Sequence, residues 1–449
     1  MSNGLQKLIS KVDNCSTTTC AETLSKLGNV TDIISSTNYD SVASAASLPT
    51  ASCNTGRFMA ITGGTEVCYR YSDGYSWKCD YDSTIGVFSR ELWVWGYNNA
   101  GQLGISNLTN KSSPVTTCGG GTNWCQISTG GYSSAAIKTD GTLWTWGSGG
   151  YGRLGTGTTS SYSSPVTTAG GGTTWCQVSG GMHHIASIKT DGTLWAWGRN
   201  HVGQLGTGNL TCYSSPVTTA GGGTTWRQVS GGFFHTASIK TDGTLWTWGQ
   251  NTSGQLGTGN GNLYSSPVTT AGGGTTWCQV SSGFFHTASI KTDGTLWMWG
   301  YNDKGQLGIG DTAHQSSPVT TCGGGTNWCQ VSGSACNTLA IKTDGTLWIW
   351  GQNSSGQLGT GDLTWYSSPV TTAGGGTTWC QGSAGCNFSS AIKTDGTLWT
   401  WGRNNEGELG TGNTTSYSSP VTITGGTNWC QVSGGGYFTA AIKQVTKGF

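Results

Sequence analysis

"TASIKTDGTLWTWG" (236–249) decides the fold. Two short runs rich in β-branched and aromatic residues, 236–240 and 244–249, flank Asp242-Gly243. Such residues suit a pleated, half-buried strand. Asp-Gly between two such runs signals a hairpin, because both turn residues tolerate positive φ. The stretch therefore predicts an antiparallel hairpin with a two-residue turn. The two tryptophans of Leu-Trp-x-Trp-Gly stand two apart, so on a strand they share a face.

The stretch recurs along the chain. Its leucine falls at Leu92, Leu143, Leu194, Leu245, Leu296, Leu347 and Leu398, in steps of 51 residues. Ser-Ser-Pro-Val keeps the same period, and an aromatic landmark follows it at Trp124, Trp175, Trp226, Trp277, Trp328 and Trp379, with a last step of 50 residues to Trp429. One unit holds four strand-like runs: PVTTA (267–271), WCQVS (277–281), TASIK (287–291) and TLWMWG (295–300). Four short strands per repeat, with no helix-period segment, describe a propeller blade. Seven units predict an all-β, seven-bladed β-propeller over 91–449. The first unit supplies "ELWVWG" (91–96) with no hairpin partner before it, and the last ends at "TAAIK" (439–443). Pairing 91–96 with 439–443 closes the ring and removes a bare sheet edge.

The unit "LWTWGQNTSGQLGTGNGNLYSSPV…VSSGFFHTASIKTDG" (245–294) resembles the regulator-of-chromosome-condensation repeat family. It carries that family's Trp-Gly, Asn-x-x-Gly-Gln-Leu-Gly, Pro-Val, Gly-x-x-His and Asp-Gly landmarks. The resemblance covers 91–443 and implies the propeller. On function it is broad, since the family includes exchange factors, inhibitors and many binding modules.

Composition narrows the function classes. Charged residues make up 9% of the 449 and the net charge is +1, against a usual ~25% charged. This argues against the basic footprint of a nucleic-acid binder. No apolar run reaches the ~18 residues of a membrane span, and "MSNGLQKLIS" lacks the layout of a signal peptide. Sixteen cysteines in a leaderless chain suggest a protein exposed after release, as virion proteins are.

No nucleophile–base–orienter set stands out, so no catalytic residue, cofactor or metal is expected. Invariant spacing makes the paired tryptophans core, expected to fill the space between blades, rather than glycan platforms. His184, His235 and His286 match the family's Gly-x-x-His. The resemblance implies a structural hydrogen bond for them, with ligand contact as the alternative. The recurring Cys125, Cys176, Cys278, Cys329, Cys380 and Cys430 read as small buried residues. Disulfides Cys118–Cys125, Cys322–Cys329 and Cys336–Cys386 are the other reading of the cysteines.

Specificity should lie where the repeats differ. Three variable sets stand out: after Trp-Gly ("YNNAGQLG", "SGGYGRLG", "RNHVGQLG"), before Ser-Ser-Pro ("LTCY", "LTWY") and in the Gly-rich strand entry ("MHHI", "FFHT"). Phe233, Phe234, Phe284, Phe285, Trp365 and Tyr366 are the candidate apolar contacts.

The first ninety residues differ. Residues 1–50 read as two short helices and a linker, and 51–90 as a β-hairpin attachment segment. Counting outward from Asp73-Gly74 sets Ser72 against Tyr75 and Cys68 against Cys79, a disulfide geometry. The hairpin resembles segments of marine tailed-phage structural proteins. The combined expectation is a non-enzymatic virion structural protein that displays the propeller for host or receptor contact, or as surface decoration. Residues 1–90 would dock it on other virion proteins or on itself. The expected partners of the loops are a host-surface protein or glycan, with no nucleic acid and no membrane insertion. A free binding module (inhibitor or lectin-like) or an extracellular filament subunit is the alternative.

Overall fold

The computed structural model describes residues 88–446, apart from Gly120 and Gly324, and four short strands upstream. The chain divides into two units, residues 1–86 and 87–449.

In the second unit, seven four-stranded antiparallel sheets follow one another as blades. Blade 3 is typical: Trp226–Gly231 is innermost, then His235–Lys240, Leu245–Gly249 and the outer Tyr264–Thr269. Blade 7 is made from both ends of the unit, in the order Trp429–Gly434, Phe438–Thr446, Phe88–Gly96, Lys111–Thr116. Its central ladder runs without interruption from Phe438 opposite Gly96 to Thr446 opposite Phe88.

The hairpin turn differs from the sequence reading. Ile239 pairs with Leu245, and Lys240 N donates to Thr244 O, leaving Thr241-Asp242-Gly243 as a three-residue turn. Only Gly243 has positive φ, at +79°. Asp242 serves by accepting from Thr244 N (2.9 Å) and Thr244 Oγ1 (2.7 Å). A three-residue turn with glycine in the left-handed position follows the strand twist as well as the two-residue form does.

Neighbouring blades are clamped through their inner strands. Gln177 Oε1 accepts from Val229 N of the next blade (2.9 Å), and Ser179 Oγ accepts from Gly231 N (3.0 Å). The same glutamine bond joins every consecutive pair of blades. The ring closes when Gln431 Oε1 accepts from Ile127 N (3.0 Å) and Ser433 Oγ from Thr129 N (3.0 Å). A backbone N–H that a blade edge would otherwise leave unpaired is thereby satisfied in each blade.

The tryptophans divide into two roles. The second of each pair is core: Trp248 is fully buried, meets Trp226 edge-on at 6.0 Å, and donates from Nε1 to Gln204 O of the preceding blade (3.0 Å). The first is only half-buried, which corrects the expectation that all fourteen fill the space between blades. Trp246 Nε1 donates to Thr244 Oγ1 (2.9 Å), and Lys240 Nζ lies 4.4 Å from its ring centre. Trp248→Ala should cost about 3–5 kcal/mol, as large core truncations do. Trp246→Ala should cost less than half of that. Urea midpoints at equal slope measure both; equal costs would contradict this division.

The first unit contains a four-stranded sheet: Tyr39–Val42, Phe58–Ile61, Cys68–Ser72 and Trp77–Asp80. The first two strands are parallel, so Tyr39–Val42 is a strand within the expected linker. The expected hairpin register is off by two. Ser72 pairs with Trp77, Arg70 with Cys79, and Cys68 with Ile61 of the preceding strand. Cys68 and Cys79 are therefore not directly opposite. Loop length fixes register, and here 73–76 form the connection. The helices expected in residues 1–38 lie outside the described residues.

Candidate binding face

Each blade sends two connections to each side of the ring. Inner-to-second and third-to-outer connections share one side. Second-to-third and outer-to-inner connections share the other. All three variable sets of the sequence fall on the first side, although they are scattered along the chain.

The opposite side repeats itself. In every blade a lysine lies over the inner-strand tryptophan and the first tryptophan of the pair, as Lys291 does at 4.7 and 4.2 Å from Trp277 and Trp297. The Asp-Thr turn also recurs, with the aspartate held below the usual carboxylate pKa mainly by its threonine hydrogen bonds at Asp140, Asp191, Asp242 and Asp293.

The variable side is apolar and aromatic. The exposed large hydrophobic residues among those described are Leu108, Tyr151, Leu210, Leu263, Leu363 and Trp365. All lie in its third-to-outer loops, with exposures from 44% for Tyr151 to 59% for Leu363. Nearer the axis, rings touch across four blades. Tyr151 meets His183 (6.1 Å), His183 meets Phe233 (5.5 Å), Phe233 meets Phe284 (4.8 Å) and Phe285 (5.5 Å), and Phe285 meets Tyr301 (6.3 Å). Tyr301 then reaches His314 at 4.7 Å. The axial opening beside them is lined by residues from all seven blades, many of them glycines such as Gly181, Gly232 and Gly283.

The sequence candidates separate accordingly. Phe233, Phe234, Phe284 and Phe285 come together, half-buried, in this crescent. Trp365 is exposed, with Lys304 Nζ of the neighbouring blade 4.8 Å from its ring centre. Tyr366 is half-buried and donates its hydroxyl to Asp362 (3.1 Å).

His184, His235 and His286 are fully buried, which corrects their candidacy as ligand contacts. Their Nε2 atoms meet Thr236, Thr287 and Thr338 Oγ1 of the next blade at 2.8–3.0 Å. Each of those hydroxyls already donates to a glutamine carbonyl, of Gln204, Gln255 or Gln306. The histidine must therefore donate, which places its proton on Nε2. Burial holds His184 and His235 at a pKa of about 3 and His286 at about 4. The rings rest on glycines: a Cβ on Gly181 would stand 2.5 Å from His184 Cε1.

Among the described residues, the expected bridges Cys118–Cys125, Cys322–Cys329 and Cys336–Cys386 are not present. Cys118, Cys322, Cys336 and Cys386 carry free thiols. Cys125 and Cys329 donate to Ile137 O (3.3 Å) and Ile341 O (3.4 Å) of the second strand, which fixes them away from Cys118 and Cys322. Burial pushes the Cys386 thiol up to about 12 and raises Cys336 as well. The recurring inner-strand thiols range from buried Cys278 to exposed Cys176 and Cys380, so they are not uniformly core. Among the described residues no group of three or more His, Cys, Asp or Glu side chains could hold a metal, and no helix is long and apolar enough to cross a membrane.

Sequence reasoning missed the two arginines on this side. Arg153 stands where other blades have Gln102, Gln204, Gln255, Gln306, Gln357 or Glu408. It is nearly buried, at 5% exposure, and donates to Gly150 O and Met182 O. Arg199 enters from the next blade over the rings of Tyr151 (5.1 Å) and Phe234 (4.9 Å). The signal for Arg153 was present in "SGGYGRLG", the copy that departs most from its siblings.

A closed propeller with one repetitive side and one variable, apolar side is a recognition scaffold in design. Residues 89–441 match the RCC1-like domain, and the chain belongs to that family. It is 31% identical over 337 residues to the ultraviolet-B receptor UVR8 of Arabidopsis thaliana, covering 73% of this chain and 76% of that one. It is 28% identical to the human E3 ubiquitin-protein ligase HERC2 over 350 residues, 75% of this chain but only 7% of that much longer protein. Among solved structures, Prp20p of Saccharomyces cerevisiae superposes with a TM-score of 0.71 at 18% identity, over 80% of this chain and 92% of that one. Human WBSCR16 gives 0.69 at 19% identity, over 79% and 98%. Propellers of this family are characteristically binding or regulatory modules. The family match begins at residue 89 and covers none of the segment before it.

Proposed function

We propose that this protein is a non-enzymatic binding module whose variable face recognises a protein or glycan partner. The carrying observation is the segregation of exposed apolar side chains. Leu108, Tyr151, Leu210, Leu263, Leu363 and Trp365 all lie in loops of one side, and on that same side Phe233, Phe234, Phe284 and Phe285 join across two blades into one half-buried aromatic cluster; variable loops on a rigid scaffold are where recognition concentrates. Prp20p binds Gsp1p and histones; this chain's partner is set by its own loops.

The test is selection of binders from a displayed peptide library, read against two double variants. Phe234→Ser with Phe285→Ser should weaken the selected binders at least ~10-fold, the cost of losing an aromatic anchor. Lys240→Ala with Lys291→Ala, on the opposite side, should leave them unchanged. The reverse pattern would assign recognition to the repetitive side and sink this reading.

A more specific form places the propeller on a virion, with residues 1–90 docking it to other virion proteins or to itself. Its support is the division of the chain into two units and the cysteine-bearing, low-charge composition. Light scattering on the full chain and on residues 87–449 tests the self-docking form. A defined oligomer that becomes monomeric in the fragment supports it. Monomers in both remove self-assembly through that segment.

A further inference from the structure

The geometry points to a carboxylate-binding niche on the variable face, formed by Arg153 and Arg199 around the ring of Tyr151. This deepens the binding-face reading and rests on it. Both guanidinium carbons face that ring, at 6.0 and 5.1 Å.

Neither arginine has an acid partner. Among the described residues the arginine–carboxylate pairs are Arg403 with Glu406 (4.0 Å) and with Glu408 (3.6 Å). Arg403 is an internal control, because it occupies in blade 6 the repeat position that Arg199 occupies in blade 2. There the loop supplies its own carboxylates. Arg199 instead lies close enough to another cation, Arg153, for their charges to oppose, and both oppose protonation of His183. Arg199 Nε is buried with no hydrogen-bond partner. A nearly buried arginine without a counter-charge costs folding free energy unless something compensates it.

The surrounding loop gives up bonds that its siblings keep. Elsewhere the Gln or Glu side chain at this position accepts from the backbone two residues earlier, as Gln204 Oε1 does from Val202 N (3.1 Å). Arginine has no acceptor and cannot do so. Six of the buried tryptophans donate to the carbonyl of this residue in the preceding blade. The seventh, Trp197, has no acceptor for Nε1. Ile185 replaces the hydroxyl residue that bonds the same carbonyl in other blades, as Thr236 does. Tyr151 sits at φ +61°, an uncommon conformation for a non-glycine residue. Local costs gathered at one place in an otherwise regular repeat are the mark of a functional site.

The ligand chemistry follows from the lining. Planar guanidinium groups pair with carboxylates through charge-assisted, directional hydrogen bonds. Tyr151, His183 and Phe234 beside them offer ring surface to an apolar neighbour of that carboxylate. The occupant is thus a peptide carboxylate flanked by an aromatic residue, supplied by an Asp or Glu side chain or by a chain terminus.

Three probes test this on the full-length protein by calorimetry: acetyl-Phe-Asp-Phe-amide, acetyl-Phe-Phe with a free terminal carboxylate, and the neutral acetyl-Phe-Asn-Phe-amide. At least one carboxylate probe should bind at least ~10-fold tighter than the neutral one, as expected for a hydrogen-bonded charge pair. Which carboxylate wins identifies its source. Arg153→Gln and Arg199→Gln should each erase the preference. Both introduce the residue found at the same position in other blades (Gln204 and Gln250), so the fold has precedent for them; circular dichroism and the melting midpoint verify it. Equal binding of the neutral probe, or a preference that survives Arg153→Gln, overturns the niche while leaving the face a binding surface. No binding of either carboxylate probe up to its solubility limit also overturns it, and the library selection then decides the broader reading independently.

Discussion

A chain that starts at residue 87 will melt like the propeller of the full-length protein, whereas one that starts at residue 97 will lose its cooperative transition. The strand Phe88–Gly96 is the third strand of blade 7, although it precedes all the other blades in sequence. Its removal deletes the whole ladder to Phe438–Thr446. It also removes Trp95, which is fully buried, meets Trp429 at 6.0 Å and donates to Glu408 O of blade 6 (2.9 Å). Phe438–Thr446 then becomes a bare edge, open to aggregation. Loss of one large core side chain alone costs about 3–5 kcal/mol, a large part of the ~5–15 kcal/mol that holds a domain folded. Far-ultraviolet dichroism and tryptophan emission through a thermal ramp distinguish the chains. If the chain from 97 melts within a few degrees of the chain from 87, closure through this strand is not what holds the ring.

Much of this architecture was legible because repetition multiplies a weak signal. One TLWTWG is an ambiguous apolar run; seven at a fixed step specify blades, and the mismatched ends 91–96 and 439–443 suggest how the circle is joined. Local chemistry was less legible. Asp242-Gly243 looks like a two-residue turn, yet Thr241 joins it, because Asp242 spends its carboxylate on Thr244 rather than adopting positive φ. Cys336 and Cys386 stand one repeat apart in neighbouring blades, but near-matching register does not bring two thiols to bonding geometry. The binding face was half legible. Its phenylalanines stood out by hydrophobicity, while Arg153 was hidden inside a motif whose job elsewhere is structural. Its meaning depends on Arg199 and His183 of the next blade, a proximity that only the ring creates.

The buried histidines make the propeller acid-sensitive, and the sign can be worked out. His184 and His235 have folded-state pKa values of about 3 and His286 of about 4, against 6.5 when unperturbed. The cause is burial; a second proton would fall on Nδ1, which has no hydrogen-bond partner in any of the three. Between these limits the unfolded chain binds more protons than the folded one, so stability falls as pH falls. The stabilisation is complete above about pH 6.5 and is lost progressively toward pH 4 and below. Three groups titrating together set a slope of up to about 4 kcal/mol per pH unit in that window. The chain supplies its own replacement, since Phe388 and Phe438 fill the equivalent position in blades 6 and 7. The triple variant His184→Phe, His235→Phe, His286→Phe keeps Thr236, Thr287 and Thr338 bonded to their glutamine carbonyls. At pH 7 it should lose about 1 kcal/mol for each histidine hydrogen bond removed. From pH 6.5 to 4.5 its urea midpoint should fall far less than that of the parent, with His183, held at about 4 by burial and the two arginines, leaving a residual slope. Parallel pH profiles for the parent and the triple variant would mean that these histidines take up protons without unfolding, and that the acid sensitivity lies elsewhere.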